Sequence, residues 1–228
     1  MDIKHFYIEK GNGTPLILLH GNGEDSGYFV NQIEAFSSCR HVYAIDTRGH
    51  GKTPRGTAPF TIRQFADDLL AFMDEHNIAE ADILGFSDGA NIAMIFALKY
   101  PHRVKRLVLN GGNLNTKGIK RRIQIPIELG YRIANLFADK SPEAKANAEM
   151  LGLMVNDPDI MPEELSKIKV PVLVIAGTDD MVKEKHTRLI AQSINGAELK
   201  IIRGNHFVAN KNPEEFNRAV LEFLNDGK

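Results

Sequence analysis

Six short apolar runs recur along the chain, and segments with helical spacing of apolar residues separate most of them. The runs are PLILLH (Pro15 to His20), HVYAID (His41 to Asp46), ADILGF (Ala81 to Phe86), RVKRLVLN (Arg103 to Asn110), VPVLVIAG (Val170 to Gly177) and ELKIIR (Glu198 to Arg203). Most alternate little between apolar and polar positions. That is the pattern of parallel strands covered on both faces. Between them, Ile62, Phe65, Ala66, Leu69, Leu70 and Met73 fall on one helical face. Thr61 with Gln64 offers a capping box at the start of that helix. Asn212-Pro213 reads as an N-cap and first-position proline, followed by an apolar face of Phe216, Val220, Phe223 and Leu224. Strand-helix alternation predicts an α/β fold with a doubly wound, mostly parallel sheet. IKHFYIEKGNG adds an antiparallel edge strand and a glycine-rich turn.

One segment departs from this rhythm. From Asn113 to Lys169 no strand pattern occurs, and KGIKRRIQIPIELGYRIANLFADK, SPEAKANAEMLGLMV and MPEELSKI predict two or three helices. The expectation is a core of residues 1–112 and 170–228 with a small helical lid, 113–169, inserted before the penultimate strand. Lys117, Lys120, Arg121 and Arg122 read as a solvated helix face, and Asp157, Asp159, Glu163 and Glu164 as a solvated acidic patch. The latter lack the glycine and ligand spacing of a calcium loop, so no metal is expected.

The 228 residues suit one sizeable domain. A hydrophobic share of 43%, a charged share of 25% and a net charge of -1 describe an ordinary globular protein. Nothing there favours nucleic acid or an anionic membrane as a partner. No run approaches the ~18 apolar residues of a membrane span. The single cysteine, Cys39, excludes an internal disulfide and fits a reducing, cytoplasmic compartment. Cys39 itself is expected to pack at a strand edge.

Two glycine-rich segments invite a nucleotide reading. HGKT ends like a phosphate-binding loop, but the glycine required earlier in that pattern is Asp46. LILLHGNGEDSG follows a strand as a dinucleotide fingerprint would, but its third glycine is Ser26. No nucleotide cofactor is expected from either.

The chemistry concentrates elsewhere. Gly85-Phe86-Ser87-Asp88-Gly89 stands between a strand and a helix, the context of a nucleophile elbow. Glycines at both ends let the chain bend sharply and leave the serine hydroxyl exposed at the helix start. GTDD places Asp179 and Asp180 after a later strand, and GNHF places His206 after the last one. Serine, then aspartate, then histidine is the chain order of an α/β-hydrolase triad. The imidazole can take the serine proton, and a carboxylate can fix its tautomer. HGNG (His20 to Gly23) follows the first long strand, where glycines let backbone N–H groups face the reaction centre. The N–H groups of Asn22 and Asp88 are the expected oxyanion donors.

HGNG, DTRGHGKT, GFSDGA, GTDD and GNHF together resemble the ordered motifs of the α/β-hydrolase fold superfamily. The elbow with aspartate after serine, and KYPHRVKRLVLNGGN beyond it, are similar to the valacyclovir hydrolase branch of the biphenyl hydrolase-like group. The resemblance implies serine ester hydrolysis without metal or organic cofactor, with the catalytic acid three residues after the strand-end glycine. After Gly177 that residue is Asp180. It also implies that DTRGHG is structural, near the site entrance. The expected substrate is a small-molecule ester. Lactones, thioesters, short peptides and C–C bonds remain open on the same apparatus. A non-catalytic binding protein on a hydrolase scaffold is the alternative from another class, and the sequence sets no oligomeric state.

Asp88 poses a problem of its own. An anion beside the nucleophile opposes a reaction that develops negative charge. A carboxylate gains roughly 0.3–1 kcal/mol in the first turn of a helix, which serine or asparagine could match as caps. The sharper expectation is that Asp88 meets a substrate cation, such as the α-amino group of an amino-acid ester.

Overall fold

The computed structural model describes residues 2–225. Among them, seven strands form one sheet: β1 (Tyr7–Lys10), β2 (Pro15–Leu19), β3 (His41–Ile45), β4 (Ala81–Phe86), β5 (Val104–Asn110), β6 (Val172–Asp179) and β7 (Glu198–Asn205). Their order is β1-β3-β2-β4-β5-β6-β7. β1 runs antiparallel to β3, pairing Tyr7 with Ile45, and all the other pairings are parallel. The doubly wound sheet expected from the apolar runs is therefore present, including the antiparallel edge.

The described residues also form eight α-helices: α1 (Val30–Phe36), α2 (Ile62–Glu75), α3 (Asp88–Lys99), α4 (Arg121–Leu136), α5 (Pro142–Asn156), α6 (Glu184–Ser193), α7 (Val208–Lys211) and α8 (Pro213–Asn225). The period-two pleat sends Ile17 and Leu19 of β2 into a core with α2, α3 and α6. Leu16 and Leu18 face the opposite core, built on Ile33 and Phe36 of α1 and Phe216, Val220 and Phe223 of α8. Burying each such side chain contributes roughly 1.5–3 kcal/mol. This two-sided demand is why the strands read as unbroken apolar runs. α3 is buried from Gly89 to Ala97 because α2 covers the face that the sheet does not.

On α2 the buried face includes Phe72 in place of the expected Leu70, which is only partly buried. Thr61 accepts from the Gln64 N–H at 3.2 Å, but the Gln64 side chain turns to Asp68, so half of the capping box forms. Cys39 is exposed, contrary to the expectation that it packs. The turn after α1 ties the Cys39 and Arg40 N–H groups to the Phe36 carbonyl. It sends Arg40 inward to Asp82 (3.4 Å) and the Leu224 carbonyl (2.7 Å), leaving Cys39 outside.

Between β5 and β6 the chain forms α4, α5 and three 3-10 helices, Thr116–Gly118, Ala138–Lys140 and Pro162–Lys167. α4 and α5 pack on each other. Parallel strands place their C-terminal ends on one edge, and loops from that edge carry Asn22, Ser87, Asp180 and His206.

Candidate active site

β4 ends at Phe86 and α3 begins at Asp88, leaving Ser87 one residue in which to turn. Its backbone sits at φ 54°, ψ -118°, a strained conformation for a residue with a Cβ. The flanking glycines are sterically required. A Cβ on Gly85 would lie 2.2 Å from the Gly89 carbonyl oxygen, and one on Gly89 would lie 2.0 Å from that of Leu19. The bend is held by the Ser87 N–H donating to the Asn110 carbonyl (2.8 Å). The Ser87 carbonyl in turn receives the Ala90 N–H (2.9 Å) and the Asn91 N–H (3.1 Å).

The structure brings Ser87, His206 and Asp180 together. Ser87 Oγ lies 3.1 Å from His206 Nε2, and His206 Nδ1 lies 2.7 Å from Asp180 Oδ1. A carboxylate only accepts, so Nδ1 carries the hydrogen and Nε2 is left to accept the serine proton. Asp180 is buried, and its Oδ1 also accepts from the Val182 N–H at 2.9 Å. Asp179 points away, exposed, to Lys120 at 3.2 Å and Arg122 at 3.8 Å. Those two cations of the expected solvated face thus share a partner. Gly111 gives the imidazole its space, since a Cβ there would lie 2.8 Å from His206 Cε1. Phe86 flanks the imidazole at 4.9 Å between centroids, and Tyr28 stacks on Phe86 at 4.4 Å.

The HGNG loop closes over the elbow. A Cβ on Gly21 would lie 3.1 Å from Ser87 Cβ, tighter than an ordinary contact, so glycine lets the loop approach without pushing the elbow aside by a few tenths of an ångström. His20 is structural. Its Nδ1–H donates to the Gly21 carbonyl (2.8 Å), its Nε2 accepts the Thr47 N–H (3.0 Å), and burial lowers its pKa. DTRGHG is structural too. Asp46 receives the Ser26 N–H (2.7 Å) and the Lys52 N–H (2.8 Å), while buried Arg48 pairs with Asp68 (2.7 Å) and Asp2 (2.8 Å).

Three carboxyl groups give the site an acidic character. Asp88 Oδ2 accepts from Asn22 Nδ2 at 3.0 Å, and Asp88 Oδ1 from Asn91 Nδ2 at 3.3 Å. No Lys or Arg among the described residues pairs with it. Burial raises its pKa, opposed by those two amides and by His206. Asp157, at the C-cap of α5, is pushed up to about 6 by burial and then by the charge of Asp88. Glu24 is pushed up to about 7 by burial, although the Gly21 N–H it accepts (3.2 Å) and nearby His206 pull the other way.

Sequence reasoning missed Glu24, Asn91, Gly111 and Tyr28. Glu24 carried one signal, its spacing three residues after Gly21 in a turn where it can accept the Gly21 N–H. Gly111 carried another, a glycine pair directly after a strand. Among the described residues, no group of three or more His, Cys, Asp or Glu side chains is placed to hold a metal ion. No described helix is long and apolar enough to cross a membrane.

A family model described as alpha/beta hydrolase fold matches residues 14–138. The chain belongs to that family. Across nearly its whole length this alpha/beta hydrolase is similar to named enzymes. It is 27% identical to (E)-2-((N-methylformamido)methylene)succinate hydrolase of Acinetobacter baylyi, over 96% of this chain and 93% of that one. It is 30% identical to a putative carbamate hydrolase RutD of a Caulobacter species, over 92% and 90%. The crystal structure of the enol-lactonase from Burkholderia xenovorans superposes with a TM-score of 0.83 at 24% identity, covering 98% of this chain and 97% of that one. That last likeness is one of fold.

Proposed function

We propose that this alpha/beta hydrolase cleaves carboxylic esters of small molecules through an acyl-enzyme on Ser87. The observation that carries the reading is the continuous chain Ser87 Oγ, His206 Nε2, His206 Nδ1, Asp180 Oδ1, at 3.1 Å and 2.7 Å. Ser87 Oγ bonds to the ester carbonyl carbon while its proton passes to His206 Nε2. Asp180 holds the imidazole orientation and stabilises the imidazolium. The N–H groups of Asn22 and Asp88 receive the oxyanion. Asp88 opens α3, so its N–H has no intrahelical partner and is available for that role. The alcohol departs with the proton held by His206. Water then attacks the acyl-enzyme, His206 takes its proton, and the acid leaves as Ser87 is restored. No metal or organic cofactor enters these steps. The helices of residues 113–169 serve as a lid over the site, and the single cysteine suits a cytoplasmic location.

Within esters, the acidity around Ser87 favours substrates with a cation near the scissile carbonyl, such as amino-acid esters. Each Asp88 oxygen receives one amide and retains a second lone pair for a substrate ammonium. Lactones are cyclic esters and fit the same steps, and a relative at 26% identity is named 3-oxoadipate enol-lactonase 2.

Two measurements test the reading. A fluorophosphonate should form a covalent adduct on Ser87, and a folded protein that forms none overturns the acyl-enzyme. An α-amino ester should outcompete its des-amino analogue in the wild type, and Asp88→Asn should erase that ratio. A wild-type preference for the neutral ester removes the cationic substrate class.

A further inference from the structure

The Asn22 side chain occupies an unusual position. Its Nδ2 lies 3.0 Å from Asp88 Oδ2 on α3 and 3.0 Å from the Met150 carbonyl oxygen on α5. Both partners only accept, so the amide must present its NH2 to them, and both of its N–H groups are engaged. α5 is 128 positions away in the chain and belongs to the helical insertion. One side chain on the proposed oxyanion loop therefore ties that loop to the elbow helix and to the insertion at once.

The tie extends further. Asp88 Oδ1 receives Asn91 Nδ2 (3.3 Å), which also lies 3.2 Å from Asn113 Oδ1. Asn91 Oδ1 accepts the Asn113 N–H (2.9 Å). Asn113 is the first residue of the insertion after Gly112. A polar chain thus runs from Met150 through Asn22, Asp88 and Asn91 to Asn113, touching the insertion at both ends and passing beside Ser87. A second clamp holds α5 one residue away. Arg55 makes a two-pronged pair with Glu149, Nε to Oε2 and Nη2 to Oε1, both at 2.8 Å.

We propose that Asn22 is a positioning residue that couples the placement of α5 to the oxyanion loop through its side-chain bridge between the Met150 carbonyl and Asp88. With α5 seated, the amide is held from two sides and the Asn22 N–H stays aimed at the reaction centre. With α5 displaced, one anchor is lost and the loop loosens. A substrate that seats α5 thereby also sets the oxyanion donor. The bridge also accounts for the residue type at position 88. Two amide NH2 groups converge on that side chain from opposite sides, and a carboxylate has an accepting oxygen for each. Asparagine would turn its own NH2 against one of them.

The coupling to rate rests on the proposed ester hydrolysis, whereas the bridge itself does not, and the experiment separates them. Wild type, Asn22→Ala, Arg55→Gln and the double variant are compared by amide hydrogen exchange without ligand and by turnover of a p-nitrophenyl ester. Besides Glu149, Arg55 donates only to the Gly56 and Ala58 carbonyls of its own loop and lies over Phe60. It touches neither the oxyanion loop nor Ser87, so its replacement perturbs α5 without altering the Asn22 bridge directly. Asn22→Ala keeps the backbone N–H. Each single variant should speed exchange across Pro142–Asn156 by about tenfold while β2 and β4 stay protected, the scale expected for losing one or two hydrogen bonds. Each should also lower kcat by about tenfold with KM changed less than about threefold, and the double variant should lose less than the product of the two. Unchanged α5 exchange in Asn22→Ala overturns the bridge. Faster α5 exchange in Arg55→Gln with wild-type kcat overturns the coupling. If the wild type turns over no ester and takes no fluorophosphonate, the functional reading fails instead, and exchange still decides whether Asn22 holds α5.

Discussion

Replacing Glu24 by Gln should make the protein more stable at pH 8 and change its stability much less at pH 5. Glu24 lies in the loop beside Ser87 and accepts the Gly21 N–H at 3.2 Å. Burial raises its pKa from 4.5 to about 7. In the unfolded chain the carboxyl ionises near the lower value, while in the folded protein it keeps its proton to the higher one. Between the two, the folded state binds more protons than the unfolded state, so stability falls as pH rises. The penalty is absent below about pH 4.5 and complete above about pH 7. A span of about 2.5 units at 1.36 kcal/mol each sets a ceiling near 3 kcal/mol. The side chain is partly solvated, so about 1–2 kcal/mol is the expected effect. Glutamine keeps an acceptor for the Gly21 N–H and carries no charge. Urea unfolding of both proteins at pH 5, 6, 7 and 8 reads the difference directly. Asp157, raised to about 6, tilts the wild-type profile in the same direction but cancels between the two proteins. A difference that stays flat from pH 5 to 8, or grows toward acid, refutes the assignment of a raised carboxyl in this loop.

Ser87→Ala should abolish ester turnover while circular dichroism and the unfolding midpoint stay near wild type, because the hydroxyl lies at a turn outside the core; comparable turnover in a mass-verified variant sinks the assignment. Asp180→Asn should lower kcat by about 10⁴, whereas Asp179→Asn, which weakens only exposed pairs with Lys120 and Arg122, should stay within about threefold; the opposite ranking in steady-state kinetics would move the acid to Asp179. Gly111→Ala should lower kcat far more than it changes KM, since the new Cβ would stand 2.8 Å from His206 Cε1; wild-type kcat would mean that the imidazole has room to shift without cost.

The strands were legible because burial on both sheet faces leaves a plain trace, an unbroken apolar run such as Leu16 to Leu19. That Ser87 and His206 would be brought together was legible because an elbow requires small neighbours and a strand-helix context, and because from β4 to β7 chain order follows sheet order. The choice between Asp179 and Asp180 was not legible from the residues alone. Both follow the same strand, and only the turn that sends Asp180 toward His206 and Asp179 toward Lys120 separates them. Phe72 on α2 escaped notice because apolar spacing fixes the centre of a buried face better than its margin. Asn22 as a bridge was beyond reach for a different reason. Its partners lie 66 and 128 positions away, and a hydrogen bond between distant loops leaves no periodic mark.

The aspartate beside the nucleophile now has two roles that are separable in principle. As a hub it needs only two accepting oxygens, and the amides of Asn22 and Asn91 supply the donors. As a specificity element it needs its charge. The raised pKa indicates that burial outweighs those two amides, so the charged form remains costly in the absence of a cation. A hub alone would tolerate that cost to hold the loop, and would then be indifferent to the substrate's amine. Asp88→Asn disrupts both roles, so a lower rate by itself decides nothing. The ratio of amino to des-amino ester decides, because damage to the loop slows both substrates alike and only a lost ion pair slows one. A variant that is slower on both esters with an unchanged ratio makes Asp88 a hub and nothing more. A ratio that collapses while α5 keeps its exchange protection makes the charge itself the reason for aspartate at this position.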